Sequence, residues 1–427
     1  MTRDELVLLA KLVSALGLVG LHAALSAWAK RRALSEAQVT RLAWACWWAT
    51  RPALFVLAFI VLGTAPTSDV VEQYVPQGLA ALRGELPYRD FDSSYGALFP
   101  YVIAGLLRVI ARPEAVVLLA VLFDGLAMRL WLRATESAVP ARARADGLLL
   151  YACAPVAVWN TALVGQNQAW LSACLAGCVW LLARAAPIRA GLMFAFGALA
   201  VKALGLLLVP YAMLVSAPRA RVLLGLMVLL GLAVVLVPFA LAGAEVWRPL
   251  ADEGVRTTSG NVPFVLGLLG LDSQQPAGRP ALASALGLSV IGASAFAARR
   301  VVHAPGAAAH HAAVCVVMLV VMLASKKAYA SYLVIFWLPM CLVLAQQGLS
   351  RAGLVAFGAV SVLATIEPAL WFDWLHQASL PEALSTLAHG DVSVRGTFST
   401  TKVALFIACE LGLLTGYGWL LRRASSI

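Results

Sequence analysis

The sequence predicts an all-α polytopic membrane protein, and three observations carry that prediction. Of the 427 residues, 62% are hydrophobic and only 12% charged, and the mean hydropathy of +0.86 is one that no water-soluble domain of this size sustains. Apolar segments recur along the whole chain, separated by short basic or turn-forming stretches. The basic residues alternate with the acidic ones from one inter-segment stretch to the next, as the positive-inside rule requires of a chain that crosses repeatedly. The formal charge of +11 is spread singly or in pairs between apolar spans, with no basic stripe interleaved with aromatics. It therefore reads as topogenic charge, and nucleic acid is excluded as a partner. The seven cysteines all fall in apolar stretches without a CxxC pair, which supports neither a disulfide framework nor a zinc site.

Taken in order, residues 6–28 form a first span followed by Lys30, Arg31 and Arg32, the wrong charge order for a cleavable signal peptide, so it reads as a retained helix. Residues 42–64 return to the outer face, where Asp69 lies. Residues 70–83 carry Val71, Val75, Leu79 and Leu82 at three- and four-residue spacing, which predicts an interfacial helix along the membrane surface. Residues 97–111 are apolar but shorter than the roughly 20 residues needed to span, and read as a re-entrant or surface-lying segment. Spans at 114–133, 147–163 and 168–183 follow, the last two flanking an outer turn at Gly165-Gln166-Asn167-Gln168. Residues 190–216, interrupted by Lys202 and Pro210, read as two short helices meeting at the outer face. Further spans at 222–242, 281–298, 309–324, 332–347, 352–372 and 402–421 complete a single transmembrane domain, with a short dip at 261–270. Within it, 1–41 is an additional helix and inner loop, 65–113 the first outer loop, 114–345 the core, and 346–427 the C-terminal helices with an outer loop.

Sorting polar residues by side puts arginines on the cytoplasmic face. Asp69, Glu72, Tyr74, Tyr88, Arg89, Asp90, Asp92, Tyr95, Gln166, Asn167, Lys202, Asn261, Lys326, Lys327, Tyr329 and Tyr332 gather at the outer surface. An acid in one loop and lysines in two others suit group transfer from a lipid phosphate: the acid takes a proton from an acceptor hydroxyl and the lysines neutralise the departing phosphate. For several of these residues a plainer reading stands beside this one. Asp69 also suits the N-cap of the helix beginning at Val70. Lys202 could snorkel to the surface or pair with a structural acid. Gln166 and Asn167 could form a capping turn. Asp90 and Asp92 suit acceptor contacts or loop hydrogen bonds better than metal ligation, since the DxD pattern belongs to enzymes with a soluble nucleotide-binding fold. In the loop 373–401, Asp373, His376, Glu382, His389 and Asp391 match no metal-ligand spacing and read as a solvated loop over the site. His22, His303, His310 and His311 read as helix or inner-loop residues without chemistry.

The run Asp69-x4-Tyr74, Gly84-x2-Pro87-Tyr88-x-Asp90-Phe91 and Tyr95 closely resembles the first outer loop of bacterial polyprenol-phosphate-mannose-dependent mannosyltransferases of the GT-C superfamily. Gly165-Gln166-Asn167, Lys202, Ser259-Gly260-Asn261 and Lys326-Lys327-x-Tyr329-x2-Tyr332 echo later motifs of that family in the same order. The resemblance covers roughly residues 65–345 and implies a GT-C-like bundle of about 11–13 transmembrane helices in a bacterial plasma membrane. It implies inverting transfer of a sugar, most commonly mannose, from a polyprenyl-phosphate donor to a glycolipid, polysaccharide or protein hydroxyl on the extracytoplasmic side. In it Asp69 corresponds to the catalytic base, the other outer residues apart from Glu72 are substrate contacts, and no metal or other cofactor is needed. The competing class, a secondary transporter or lipid flippase, predicts an inverted repeat and mid-bilayer polar groups.

Overall fold

The computed structural model describes residues 3–67, 69–253, 258–268, 278–303, 309–348, 350–370 and 400–427, and among them the regular structure is helical. The acids and histidines singled out in 373–401 lie outside the described residues. Helix α1 (Arg3–Arg31) is the first apolar span. Helix α2 (Glu36–Thr50) opens on a capping box in which the Ser35 and Gln38 side chains each bond the other residue's backbone. Pro52 lacks the N–H that would continue α2 and instead starts α3 (Pro52–Phe55), which widens into a π-turn over Val56–Val61.

Arg51, at that break, is fully buried and ion-paired at 3.3 Å with Asp124 of α6 (residues Glu114–Ala134). Trp47 Nε1 donates to the same Asp124 oxygen at 2.8 Å, Tyr151 donates its hydroxyl to the other oxygen, and Arg51 also donates to the carbonyls of Tyr151 and Ala152. Two charges inside apolar spans are tolerated because each is answered by a partner of fixed geometry. This pair escaped the sequence reading, although a lone Asp and a lone Arg within otherwise apolar spans were its visible signal.

A second π-turn, Val70–Tyr74, leads into α4 (Val75–Leu82). Val71, Leu79 and Leu82 are exposed while Val70, Tyr74, Ala80 and Ala81 are buried, the amphipathic pattern expected of an interfacial helix. Its buried side receives α5 (Phe99–Val109), approaching so closely that a Cβ on Gly78 would stand 2.6 Å from Ile103. The 11 residues of α5 rise about 16 Å, roughly half the hydrocarbon thickness. That length agrees with the segment predicted to dip without crossing.

After α6 come α7 (Ala141–Ala152), the short α8 (Pro155–Val158) with a third π-turn at Trp159–Leu163, and α9 (Gln168–Ala183). The span expected at 147–163 is thus broken, because Pro155 has no N–H to carry α7 onward. Helix α10 (Pro187–Ala200) stops where Val201 and Lys202 leave helical geometry, Lys202 adopting an extended φ of −159°. A 3₁₀ turn at Ala203–Leu208 then leads into α11 (Val209–Val215), so the two short helices predicted to meet at Lys202 are present. The remaining helices are α12 (Pro218–Leu241), α13 (Arg248–Glu253), α14 (Val262–Leu268), α15 (Gly278–His303), α16 (His310–Ala324), α17 (Leu333–Gln346), α18 (Arg351–Pro368) and α19 (Thr400–Ala424).

Helices α9, α16 and α17 are buried on almost every face and form the centre. In contrast, α1, α12 and α15 expose large apolar side chains such as Val13, Val234 and Leu288, as helices bathed in lipid do. Among the described residues, seven helices are long and apolar enough to cross a membrane, and six shorter apolar ones pack with them. The chain is therefore an all-α, multi-pass membrane protein. All seven cysteines are free and buried, in keeping with their apolar sequence setting.

Candidate active site

Asp69 stands at the head of the π-turn Val70–Tyr74 in right-handed helical geometry, and its side chain makes no capping bond. The N-cap alternative is therefore not how the residue is used. Gln166 Nε2 donates to Asp69 Oδ2 at 3.1 Å. The other end of that amide, Gln166 Oε1, faces the Tyr74 hydroxyl at 3.5 Å and accepts from Gln168 Nε2 at 3.2 Å. Both contacts hold the amide with its N–H toward the carboxylate. The turn bearing Gln166 is wedged in place by Gly165, whose φ is +68° and whose Cβ, if added, would stand 2.9 Å from Val117 and 3.0 Å from Val70. Only glycine combines that backbone with that contact, so the Gly-Gln-Asn order directly sets the amide beside Asp69.

A second glycine brings in the cation. Gly96 lies so close to the end of α10 that a Cβ would come 2.2 Å from the Leu199 carbonyl. Its N–H donates to Val201 O at 3.0 Å, and the Leu98 N–H donates to Leu199 O at 2.8 Å. This stitches the first long loop onto the break in α10 and puts Tyr95 beside Lys202, whose Nζ lies 5.4 Å from the Tyr95 ring centroid. Lys202 Nζ also donates to the Tyr332 hydroxyl at 2.8 Å. Tyr95 packs edge-on against Tyr74 with centroids 5.1 Å apart, and Tyr329 against Tyr332 at 5.5 Å. Burial pushes the Tyr74 and Tyr95 phenols well above the usual tyrosine range, and the nearby Asp69 charge adds to the effect. Both stay neutral, and the Tyr74 hydroxyl points its proton toward Gln166 Oε1.

Asp69, Tyr74, Tyr95, Gln166, Lys202, Tyr329 and Tyr332 therefore form one cluster assembled from four separate stretches of chain. Asn167 occupies the N-cap position of α9 in the same turn but makes no side-chain capping bond, and its buried Nδ2 has no partner among the described residues. Two residues that the sequence reading passed over belong here as well. Gln168 Nε2 bridges Gln166 to Ser331 Oγ at 3.3 Å, tying the turn beside Asp69 to the segment bearing Lys326 and Lys327. Lys327 is only 7% exposed, a buried cation at the end of α16. Lys326 is half-buried, and its carbonyl accepts from Thr258 N at 2.8 Å and Asn261 Nδ2 at 3.4 Å.

The other predicted contacts serve the loops. Tyr88, at φ +66°, donates its hydroxyl to the Tyr95 carbonyl, while its own carbonyl accepts from Glu245 N at 3.1 Å. Asp90 accepts from Leu86 N at 2.8 Å and is chelated by Arg89, which also donates to Ala242 O at 3.0 Å. The Arg89 guanidinium holds the Asp90 carboxyl down at about 2, which makes it a poor proton acceptor. Asp92 pairs with Arg248 at 2.8 Å. Asn261 is fully buried, its Nδ2 donating to the Thr258 and Ser259 carbonyls and its Oδ1 accepting from Phe264 N at 2.9 Å as the cap of α14. Of the histidines read as lacking chemistry, His310 is bonded to the Tyr211 hydroxyl at 2.6 Å and His311 to Gln346 at 3.3 Å.

No protein in a search of curated sequences matches this chain. The family model described as Glycosyltransferase family 87 matches residues 95–343. That match opens at Tyr95 and takes in the Gly-Gln-Asn turn, the break at Lys202 and the Lys326–Tyr332 segment, while Asp69 lies just before it. Because the match spans more than half of the chain, the protein belongs to glycosyltransferase family 87, a GT-C-type family of membrane glycosyltransferases.

Proposed function

We propose that this glycosyltransferase moves a sugar, mannose by resemblance, from a polyprenyl-phosphate donor to an acceptor hydroxyl at the extracytoplasmic surface of the bacterial plasma membrane. The single observation that supports this reading best is the joining of Asp69 to Lys202 through one aromatic cluster: Gln166 and Tyr74 on the acid side, Tyr95 and Tyr332 on the cation side. A base and a phosphate-neutralising cation on either flank of an aromatic floor suit a direct displacement.

In that step the Asp69 carboxylate takes the acceptor's hydroxyl proton, and the freed oxygen forms a bond to the sugar's anomeric carbon as the bond from that carbon to the phosphate oxygen breaks. The electron pair leaves with the polyprenyl phosphate, whose charge Lys202, Lys326 and Lys327 offset. A single displacement inverts the anomeric configuration, and Asp69 then returns its proton to water. Phosphate is already a weak base, so the step needs neither a general acid nor a metal cofactor. The acceptor is a glycolipid, polysaccharide or protein hydroxyl presented at the same face, and lipid is the solvent of both donor and enzyme.

Incubating purified protein with radiolabelled polyprenyl-phosphate mannose or a nucleotide-linked mannose, each with a membrane-lipid extract, tests this directly. Labelled product from the lipid-linked donor alone is expected. Product from the nucleotide sugar alone overturns the donor assignment, and no transfer from a panel of lipid-linked sugars would favour a transporter or flippase.

A further inference from the structure

Two acids inside the C-terminal spans are used by none of the chemistry above: Glu367 near the end of α18, 3% exposed, and Glu410 in α19, 1% exposed. Both helices lie beyond the segment matched by the family model. A carboxyl inside a membrane span is costly and calls for a partner. Here both find it on one short loop. The Ser259 hydroxyl donates to Glu367 and the Gly260 backbone N–H donates to Glu410. Gly260, at φ +82°, supplies the left-handed turn that aims its N–H at Glu410. From its other side the same loop holds the segment bearing Lys326 and Lys327, through Thr258 N to Lys326 O at 2.8 Å and Asn261 Nδ2 to Lys326 O at 3.4 Å.

We infer that Glu367 and Glu410 are positioning residues that clamp the 258–261 loop from the C-terminal helices and so set where Lys326 and Lys327 meet the phosphate of the lipid-linked donor. The inference rests on the donor-site reading of those lysines. A carboxyl oxygen accepts the Ser259 O–H and Gly260 N–H bonds whether or not the acid is ionised, so the clamp rests on where these oxygens stand. Glu410 Oε1 has no partner among the described residues, and neither has the buried Tyr417 hydroxyl. A glutamine at position 410 can keep its carbonyl on the Gly260 N–H and turn its amide group into that unfilled place.

The test uses full-length protein in lipid nanodiscs, with radiolabelled polyprenyl-phosphate mannose as the varied substrate. Glu410→Ala is expected to raise the donor KM at least about tenfold by misplacing the lysines, with acceptor KM unchanged. Glu410→Gln should recover most of that loss. Ser259→Ala, which leaves both membrane acids in place and so guards against a variant that fails to fold, should raise donor KM about fivefold, the worth of about one hydrogen bond. Lys326→Ala and Lys327→Ala are run in parallel. If either lysine variant raises donor KM while Glu410→Ala and Ser259→Ala leave it unchanged, the clamp is overturned and the donor site stands. If neither lysine variant moves donor KM, the donor-site reading falls and the clamp falls with it. A lower thermal midpoint in Glu410→Ala with unaltered donor KM would also overturn the proposal, reducing the acid to packing.

Discussion

Asp69 and Asp124 are the same residue type in opposite circumstances. Asp124 is fully buried in α6 with both oxygens engaged, one by Trp47 and Arg51 and the other by Tyr151. Asp69 is half-buried at the head of an interfacial π-turn, and among the described residues a single donor, Gln166, reaches it. A carboxylate whose lone pairs are spent on arginine, tryptophan and tyrosine holds helices together and has nothing left to accept. One whose lone pairs are mostly unspent, at an accessible end of the bundle, can take a proton from a substrate. Asp90 falls with Asp124 in this respect: two residues from the loop's aromatic anchor at Tyr88, it is chelated by Arg89.

If the contrast holds, Arg51→Ala should be the most damaging change to the fold. It leaves Asp124 as a buried charge without its counter-ion, a loss of about 3–5 kcal/mol, seen as a collapsed yield of monodisperse protein and a lowered thermal midpoint. An Arg51→Met, Asp124→Leu double variant should recover much of that stability, because an apolar pair of similar volume avoids the desolvation cost. Lys202→Ala comes next. Removing the cation between Tyr95 and Tyr332 should raise donor KM about tenfold with acceptor KM little changed, the signature of lost ground-state and transition-state binding to phosphate. Equal changes in both constants would place Lys202 outside the donor site. The smallest effect belongs to Asp92→Asn. Its ion pair with Arg248 is solvent-exposed and contributes at most about 1 kcal/mol, so activity should stay within twofold; a large loss would make Asp92 a substrate contact.

Much of this architecture was legible in the sequence because hydropathy is a local signal. The spans, the amphipathic helix after Asp69, the short α5 and the break at Lys202 all follow from residues within one or two helical turns of each other. That Asp69, Gln166, Lys202 and Tyr332 share one face was legible from sorting polar residues by side, but their mutual contacts were not, since nothing local to any of them reports the others. What stayed hidden is pairing across the fold. Arg51 with Asp124, Glu367 and Glu410 with the 258–261 loop, and Gln168 with Ser331 each join segments far apart in the chain. Asn261, expected as a substrate contact, shows the converse: it lies beside Lys326, but its amide is consumed by capping α14 and bonding loop carbonyls. The π-turns were equally invisible, for they arise where packing forces one extra residue into a turn, which no composition rule marks.

In the proposed reaction Asp69 takes the acceptor's proton, and the measurement closest to that role is sugar transfer by Asp69→Asn alongside the wild type, with the thermal midpoint of each recorded. Asparagine keeps the size and can still meet Gln166 but cannot take the proton. Transfer should fall by at least about 100-fold, the scale of general-base catalysis, with the midpoint unchanged. Transfer at the wild-type rate from a folded Asp69→Asn protein would contradict the claim.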